Sequence, residues 1–185
     1  MNFFIIHGIY ANPESNWFPW LKKELENKGF EVVVPKFPTP LDQSLESWMR
    51  TIAKYKNRIN EEAVLVGHSL GATFILNYLE KSGKKIRAAY LVAPFHKLLG
   101  SSYDKLNNTF VDKQFDWEKI KSNCGKLFVC ASDKDEYIPL EITKELIKKL
   151  NAEFNLIPDG GHLNKESGYD KFPLLLKIIA SELEV

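Results

Sequence analysis

The sequence predicts an α/β fold in which a parallel sheet has helices on both faces. Short apolar runs alternate with helical patterns along the chain, and the runs are apolar at nearly every position. Strands buried on both faces have this continuous apolar character, and regular alternation with helices is typical of parallel sheets. The chain has 185 residues, a length expected for one domain, so we predict a single domain over residues 1–185.

Six segments have strand character. Residues 3–6 are apolar throughout, and residues 31–34 are closed by Pro35, which lacks the N–H that a central strand requires. Residues 63–66 form another apolar run that leads directly into a glycine-rich turn. We predict strands at 3–6, 31–34, 63–68, 86–92, 126–131 and 152–157.

Helices are predicted between these strands, where apolar residues recur at every third or fourth position. The clearest pattern places Leu45, Trp48, Met49, Ile52 and Tyr55 on one face of the second helix. The predicted helices are 17–28, 42–58, 69–81, 117–121, 140–150 and 169–183. The proline-rich segment 35–40 is predicted to be extended, and the polar segment 94–116 is predicted to be irregular.

Composition and charge argue against several classes of function. The formal net charge is +1, which gives no electrostatic reason to expect nucleic acid or a membrane surface as a partner. Two cysteines make no disulfide framework, and Cys130 lies in an apolar run, so we expect the cytoplasm. The N-terminal apolar run is too short for a signal peptide, and no run approaches the ~20 residues of a membrane span. No metal-ligand or nucleotide-binding pattern is present, so we expect no cofactor.

The sequence Gly67-His68-Ser69-Leu70-Gly71 lies between a predicted strand and a predicted helix. In that context, G-x-S-x-G is the pattern of a nucleophile elbow, a sharp turn that exposes the serine hydroxyl. Gly67 and Gly71 lack the Cβ atoms that would crowd such a turn. The structural alternative is a tight turn with a serine that caps the helix.

Three candidate catalytic residues follow strands in the order serine, acid, histidine, which is the order of an α/β-hydrolase. Ser69 follows the third strand, Asp135 the fifth and His162 the sixth, and the ends of parallel strands meet at one edge of a sheet. A serine hydroxyl needs a base, and the imidazole needs a carboxylate to orient it. Asp133 competes with Asp135 for the acid role, and His162 has the alternative of an ordinary loop histidine after two glycines.

An oxyanion hole is predicted from two backbone N–H groups. The residue after the nucleophile, Leu70, supplies one, and the loop after the first strand supplies the other. In that loop we predict the N–H of Ile9, with Tyr10 as the alternative donor, and Gly8 lets the backbone approach the site. An ordinary strand-to-helix loop is the structural alternative.

Five motifs carry a family resemblance and together span most of the chain. The motifs are His7-Gly8-x-x-Ala11, Trp17-Phe18-Pro19-Trp20-Leu21-Lys22-Lys23, the serine motif, Asp133-Lys134-Asp135-Glu136-x-Ile138-Pro139 and Gly160-Gly161-His162. The chain resembles the small α/β-hydrolases of the YdeN and retinoblastoma-binding protein 9 type, and the tryptophan-rich helix start is the most specific motif. The resemblance implies about six strands, no large cap domain, esterase-like activity and a triad of Ser69, Asp135 and His162. The Leu-x-Cys-x-Glu motif is missing, so the retinoblastoma protein is not expected as a partner.

A substrate pocket is predicted between residues 10–20 and the loop after Pro94. The candidate lining residues are His7, Gly8, Tyr10, Trp17, Phe18, His68 and Phe95. For Trp17 and Trp20 the alternative is a place in the core, which we favour for Trp20. The short, polar segment 94–116 is expected to cover little of the pocket. We therefore expect a small-molecule substrate with a small or medium acyl group.

Two classes of function remain open. The first is a serine hydrolase that cleaves esters, amides or thioesters through an acyl-enzyme, with transfer to an acceptor other than water as a variant. The second is a binding protein on a hydrolase fold with vestigial activity. Fold alone does not separate them, but three catalytic groups at matching strand ends favour the enzyme.

Overall fold

The computed structural model describes residues 1–183, and in this part of the chain six strands form one sheet. The strands are β1 Asn2–Ile6, β2 Glu31–Val33, β3 Val64–His68, β4 Ile86–Val92, β5 Cys124–Ser132 and β6 Glu153–Ile157. Their order is β2-β1-β3-β4-β5-β6, and each neighbouring pair is parallel. The predicted α/β fold and its six-stranded parallel sheet are confirmed.

Seven α-helices connect or follow the strands within residues 1–183. They are α1 Phe18–Asn27, α2 Leu45–Ala53, α3 Leu70–Ser82, α4 Asp104–Val111, α5 Trp117–Ser122, α6 Leu140–Leu150 and α7 Pro173–Leu183, with a 3-10 turn at Lys165–Ser167. The second helix is shorter than predicted at both ends, and its later start is fixed by Ser44, whose side chain accepts from the N–H of Ser47 at 3.1 Å. The last helix begins late, at Pro173, a residue that suits a first helical position.

Helix α4 corrects the prediction that segment 94–116 is irregular. The Asp104 carboxylate accepts hydrogen bonds from the backbone N–H groups of Leu99, Gly100 and Ser101, which fixes the turn before the helix. Phe110 and Val111 are buried, and the Phe110 carbonyl accepts from Asn77 on α3. The helix escapes sequence analysis because it is short and only one narrow side of it is apolar.

The sheet separates two apolar clusters, so both of its faces are covered. Along β1, Phe4 and Ile6 belong to the cluster that contains α3, whereas Phe3 and Ile5 belong to the cluster that contains α1 and α7. This alternation follows from the two-residue repeat of side chains on a strand. It explains why the strands are apolar at consecutive positions.

The carboxyl ends of β1, β3, β5 and β6 all lie at one edge of the sheet because the strands are parallel. Gly8, Ser69, Asp135 and His162 each follow one of these ends within five residues. The fold therefore gathers the loops that carry the candidate site residues. Among the helices of residues 1–183, none has the length and apolar character needed to cross a membrane.

Candidate active site

Ser69 occupies the turn between β3 and α3 in an unusual backbone conformation. Its φ is 56° and its ψ is −121°, a region that costs energy for a residue with a side chain. The turn is held on both sides: the Ser69 N–H donates to the Val92 carbonyl at 2.8 Å, and the Ser69 carbonyl accepts from Ala72 and Thr73. Neighbouring backbone therefore maintains the strain at Ser69.

Glycines permit this turn because other backbone lies against them. A Cβ on Gly67 would come within 2.6 Å of the Ala72 nitrogen, and one on Gly71 would overlap the Ile6 carbonyl oxygen. Gly8 packs on the turn from the loop after β1, where a Cβ would lie 3.1 Å from the Cβ of Ser69. The G-x-S-x-G pattern is thus a steric requirement of this packing.

His162 and Asp135 form a hydrogen-bonded pair. The His162 Nδ1 lies 3.0 Å and 2.8 Å from the two carboxylate oxygens of Asp135. Asp135 Oδ1 also accepts from the N–H groups of Tyr137 and Ile138, at 2.9 Å and 3.0 Å. The Asp135 side chain is only 3% exposed, so water competes little for these bonds. With the proton of His162 on Nδ1, its Nε2 carries a lone pair that can accept a proton.

The competing carboxylate, Asp133, has a different partner. Its Oδ1 accepts from the N–H of Asp159 at 2.9 Å, which ties the loop after β5 to the loop after β6. Asp133 is exposed, whereas the Asp135 side chain is buried beside the imidazole. The geometry therefore favours Asp135 over Asp133 as the partner of His162.

Ser69 and His162 line one cavity with a volume of about 310 Å³. Four of the predicted lining residues, Gly8, Tyr10, His68 and Phe95, line it as well. The cavity is bounded on one side by the loop after β1 and on another by the segment that contains α4. A water molecule takes up roughly 30 Å³ in the liquid, so the space suits a small organic group.

The structure corrects the expectation that His7, Trp17 and Phe18 form the cavity wall. All three are fully buried, and none of them lines the cavity. The His7 Nε2 accepts from the Phe37 N–H at 3.0 Å, and the Trp17 indole N–H donates to the Leu163 carbonyl at 3.0 Å. Phe18 packs against the His68 ring with centroids 6.1 Å apart. These buried side chains contact segments around the site instead of substrate space.

Several lining residues were missed by sequence analysis. Segment 94–116 contributes Leu99, Tyr103 and Asn107, although it was predicted to offer little cover. Tyr137 lines the cavity from the turn that carries Asp135, and its ring packs edge-on against His162 at 4.9 Å. Tyr137 could have been proposed from its place two residues after Asp135. The α4 residues carry no comparable signal.

The backbone N–H groups predicted for an oxyanion hole differ in whether they already donate a hydrogen bond within the protein. Leu70 is the first residue of α3, and N–H groups of a first turn have no partner within the helix. Tyr10 donates its N–H to Thr39 Oγ1 at 3.0 Å, which removes the alternative donor of that loop. Ile9 lines the cavity beside Ser69. Ile9 and Leu70 thus remain the predicted pair.

His68 supports the His162 loop. Its Nε2 lies 2.9 Å from the His162 carbonyl oxygen, and the two rings pack edge to face at 4.9 Å. Burial, and then the nearby His162, lower the pKa of His68 to about 3. The His68 ring is therefore neutral near pH 7, and its Nε2–H donates to the carbonyl. His96 packs on Trp117 outside the cavity, and burial lowers its pKa to about 4.

Comparison with known proteins identifies relatives along nearly the whole chain. The model of a family described as serine hydrolase matches residues 3–181. YdeN of Bacillus subtilis is 32% identical over 180 residues, which cover 96% of this chain and 94% of YdeN. The serine hydrolase RBBP9 of Rattus norvegicus is 26% identical over 168 residues, which cover 90% of this chain and 86% of RBBP9.

Solved structures share the fold. The crystal structure of the ydeN gene product from B. subtilis matches with a TM-score of 0.91 and 31% identity, over 100% of this chain and 99% of that chain. Est1E from Butyrivibrio proteoclasticus matches with a TM-score of 0.74 and 17% identity, over 99% and 86% of the two chains. At 17% identity, the likeness to Est1E shows a shared fold alone. The resemblance predicted from the sequence motifs is confirmed.

Proposed function

Because the chain belongs to the serine hydrolase family, we propose that it hydrolyses small or medium-sized esters through Ser69, His162 and Asp135. The observation that carries the proposal is the Asp135–His162 hydrogen-bonded pair, whose imidazole lines the same cavity as a serine on a strained turn. A serine, a base and a buried orienting carboxylate are the groups that acyl transfer requires.

In the proposed first step, Ser69 Oγ attacks the carbonyl carbon of the ester. His162 Nε2 accepts the hydroxyl proton, and Asp135 stabilises the imidazolium through the bond to Nδ1. The negative charge that forms on the carbonyl oxygen is proposed to accept hydrogen bonds from the N–H groups of Ile9 and Leu70. The ester C–O bond then breaks, and the leaving alkoxide takes the proton from His162 Nε2.

In the proposed second step, water attacks the acyl group on Ser69. His162 takes a proton from this water, and when the acyl–oxygen bond breaks the proton returns to Ser69 Oγ. The free acid is released and the resting enzyme is restored. Thioesters and amides are cleaved by the same sequence with a thiolate or an amine as leaving group, and they are the alternative substrate classes.

The size of the cavity supports the proposal of a small-molecule substrate with a small or medium acyl group. A volume of about 310 Å³ corresponds to roughly ten water molecules in the liquid, which favours a small or medium acyl group. A cytoplasmic location is part of the proposal. It is supported by Cys124 and Cys130, which are free and buried, and burial raises the pKa of both thiols to about 12.

Labelling with a fluorophosphonate probe tests the proposal. The native protein and a Ser69→Ala variant are treated with the probe, and mass spectrometry locates any adduct. We expect one adduct per chain on Ser69 in the native protein and none in the variant. A folded native protein that forms no adduct would overturn the proposal and favour a binding protein on a hydrolase fold.

A further inference from the structure

The residues that line the cavity include one on α4 whose buried hydrogen-bond acceptor is used by no group in residues 1–183. Asn107, on α4, lines the cavity and is only 1% exposed. Its Oδ1 has no hydrogen-bond partner within the described chain. Buried polar atoms in folded proteins are almost always paired, so an unpaired acceptor on a side chain that lines a cavity points to a donor that arrives with a ligand.

The charges of the cavity favour the same kind of ligand. In the part of the chain that the structure describes, its lining includes one carboxylate, Glu166, and neither lysine nor arginine. An anionic substituent would find no counter-charge there, whereas a hydroxyl or an ammonium group finds acceptors. The electrostatic surroundings thus select against carboxylates and phosphates.

Aromatic side chains form much of the remaining wall. Tyr10 packs edge to face on Tyr103 with centroids 6.4 Å apart, and Tyr103 packs in the same way on Tyr137 at 6.0 Å. Phe95 and Leu99 add apolar surface. A ligand that fills this space needs a carbon framework, with its donor directed at Asn107.

From these observations we propose that the substrate is an ester that carries a hydroxyl group, which donates a hydrogen bond to Asn107 Oδ1. The inference rests on the proposed function, because Ser69 lines the same cavity and would act on the ester bond of that molecule. In addition, Asn107 would distinguish a substrate that has a hydrogen-bond donor from an apolar substrate of the same size.

Matched substrates of equal size test the inference. The p-nitrophenyl esters of 3-hydroxybutanoate and 3-methylbutanoate place a hydroxyl or a methyl group on the acyl side. The 2-hydroxypropyl and 2-methylpropyl esters of butanoate make the same exchange on the alcohol side. We expect kcat/KM to favour the hydroxyl member of at least one pair by about tenfold, the typical effect of one neutral hydrogen bond.

Variants on α4 assign the preference to one side chain. Asn107→Leu should reduce the ratio of the two kcat/KM values to about one, whatever happens to the absolute rates, and Asn107→Asp should retain the preference because it retains an acceptor. Asn108→Leu is the matched control, since Asn108 is the exposed neighbour on the same helix and should leave the ratio unchanged.

Fluorophosphonate labelling of Ser69 distinguishes a failure of this inference from a failure of the proposed function. A native protein that is labelled on Ser69 and hydrolyses both members of each pair equally well would overturn the inference and leave the proposed function intact. A preference that survives Asn107→Leu would also overturn it. A folded protein that neither reacts with the fluorophosphonate nor cleaves any of the four esters would overturn the proposed function, and the inference with it.

Discussion

The backbone N–H of Tyr10 donates to Thr39 Oγ1 at 3.0 Å, and this bond holds the loop beside Ser69. Tyr10 has a positive φ of 56°, which a tyrosine adopts only where its surroundings hold it. The Thr39 hydroxyl in turn donates to Gln43 Oε1 at 2.6 Å, and Gln43 Nε2 donates to the Leu106 carbonyl on α4 at 2.8 Å. Three hydrogen bonds therefore join the predicted oxyanion loop to the helix over the cavity.

Thr39→Val should lower kcat for p-nitrophenyl butanoate by about tenfold with a smaller change in KM. Valine keeps the shape of threonine but removes the partner of the Tyr10 N–H, and an oxyanion donor that is misplaced, rather than deleted, costs less than the 10²-fold or more of a deletion. Thr39→Ser keeps the hydroxyl and should retain most of the activity. Equal kcat values for the valine and serine variants would contradict this role of the hydroxyl.

Asp135→Asn should lower kcat by about 10⁴-fold, because asparagine cannot hold the imidazole in the required tautomer. The matched change, Asp133→Asn, should cost little activity, since Asp133 bonds to the Asp159 N–H instead of to His162. Both variants are assayed against the same ester at saturating concentration, with circular dichroism as a check of folding. A greater loss in the Asp133 variant would show that the acid has been assigned to the wrong residue.

The buried His68 should make the protein less stable in acid. Its pKa is about 3 in the folded protein and about 6.5 when unfolded, so between these values the unfolded chain binds a proton that the folded chain does not. The free energy of unfolding should therefore fall as the pH falls through this window, by up to about 1.4 kcal/mol per pH unit from this group. Burial lowers the pKa of His7 and His96 as well, and these histidines act in the same direction.

Urea unfolding of the native protein and of His68→Gln, measured between about pH 7 and about pH 4, isolates the contribution of His68. Glutamine can keep a donor for the His162 carbonyl but does not titrate. The unfolding free energy of the variant should therefore fall less steeply as the pH is lowered. The carboxylates and the other histidines are common to both proteins and cancel in the comparison. Parallel curves for the two proteins would contradict the prediction.

The parts of the fold that could be predicted are those with a local signal. Each strand is an apolar run, and Ser69 lies in a motif whose spacing is required by the contacts of Gly67 and Gly71 with neighbouring backbone. Hydrogen bonds between loops that are distant in sequence have no such signal. The bond between Tyr10 and Thr39 joins loops that are distant in sequence, and it depends on how those loops pack.

The cavity wall was the least predictable feature. Trp17 and Phe18 were predicted to contact substrate because aromatic residues near a site suit both a pocket and a core, and only packing separates the two. Asn107 lies on a helix whose polar sequence suggests a loop, and its burial depends on the contact of α4 with α3. Residue type alone could not have distinguished it from Asn108.

Gly8→Ala should slow fluorophosphonate labelling of Ser69 by about tenfold while the melting temperature changes little. The new Cβ would lie 3.1 Å from the Ser69 Cβ and 3.2 Å from the His68 carbonyl oxygen, so the loop after β1 must move by a few tenths of an ångström away from the nucleophile. Gly83→Ala is the converse control. The φ of 63° at Gly83 strains an alanine, but no atom lies within 4 Å of the new Cβ. The free energy of unfolding should therefore fall by about 1 kcal/mol, and the rate of labelling should be unchanged. A Gly8→Ala variant labelled as fast as the native protein would mean that this loop does not set the reactivity of Ser69.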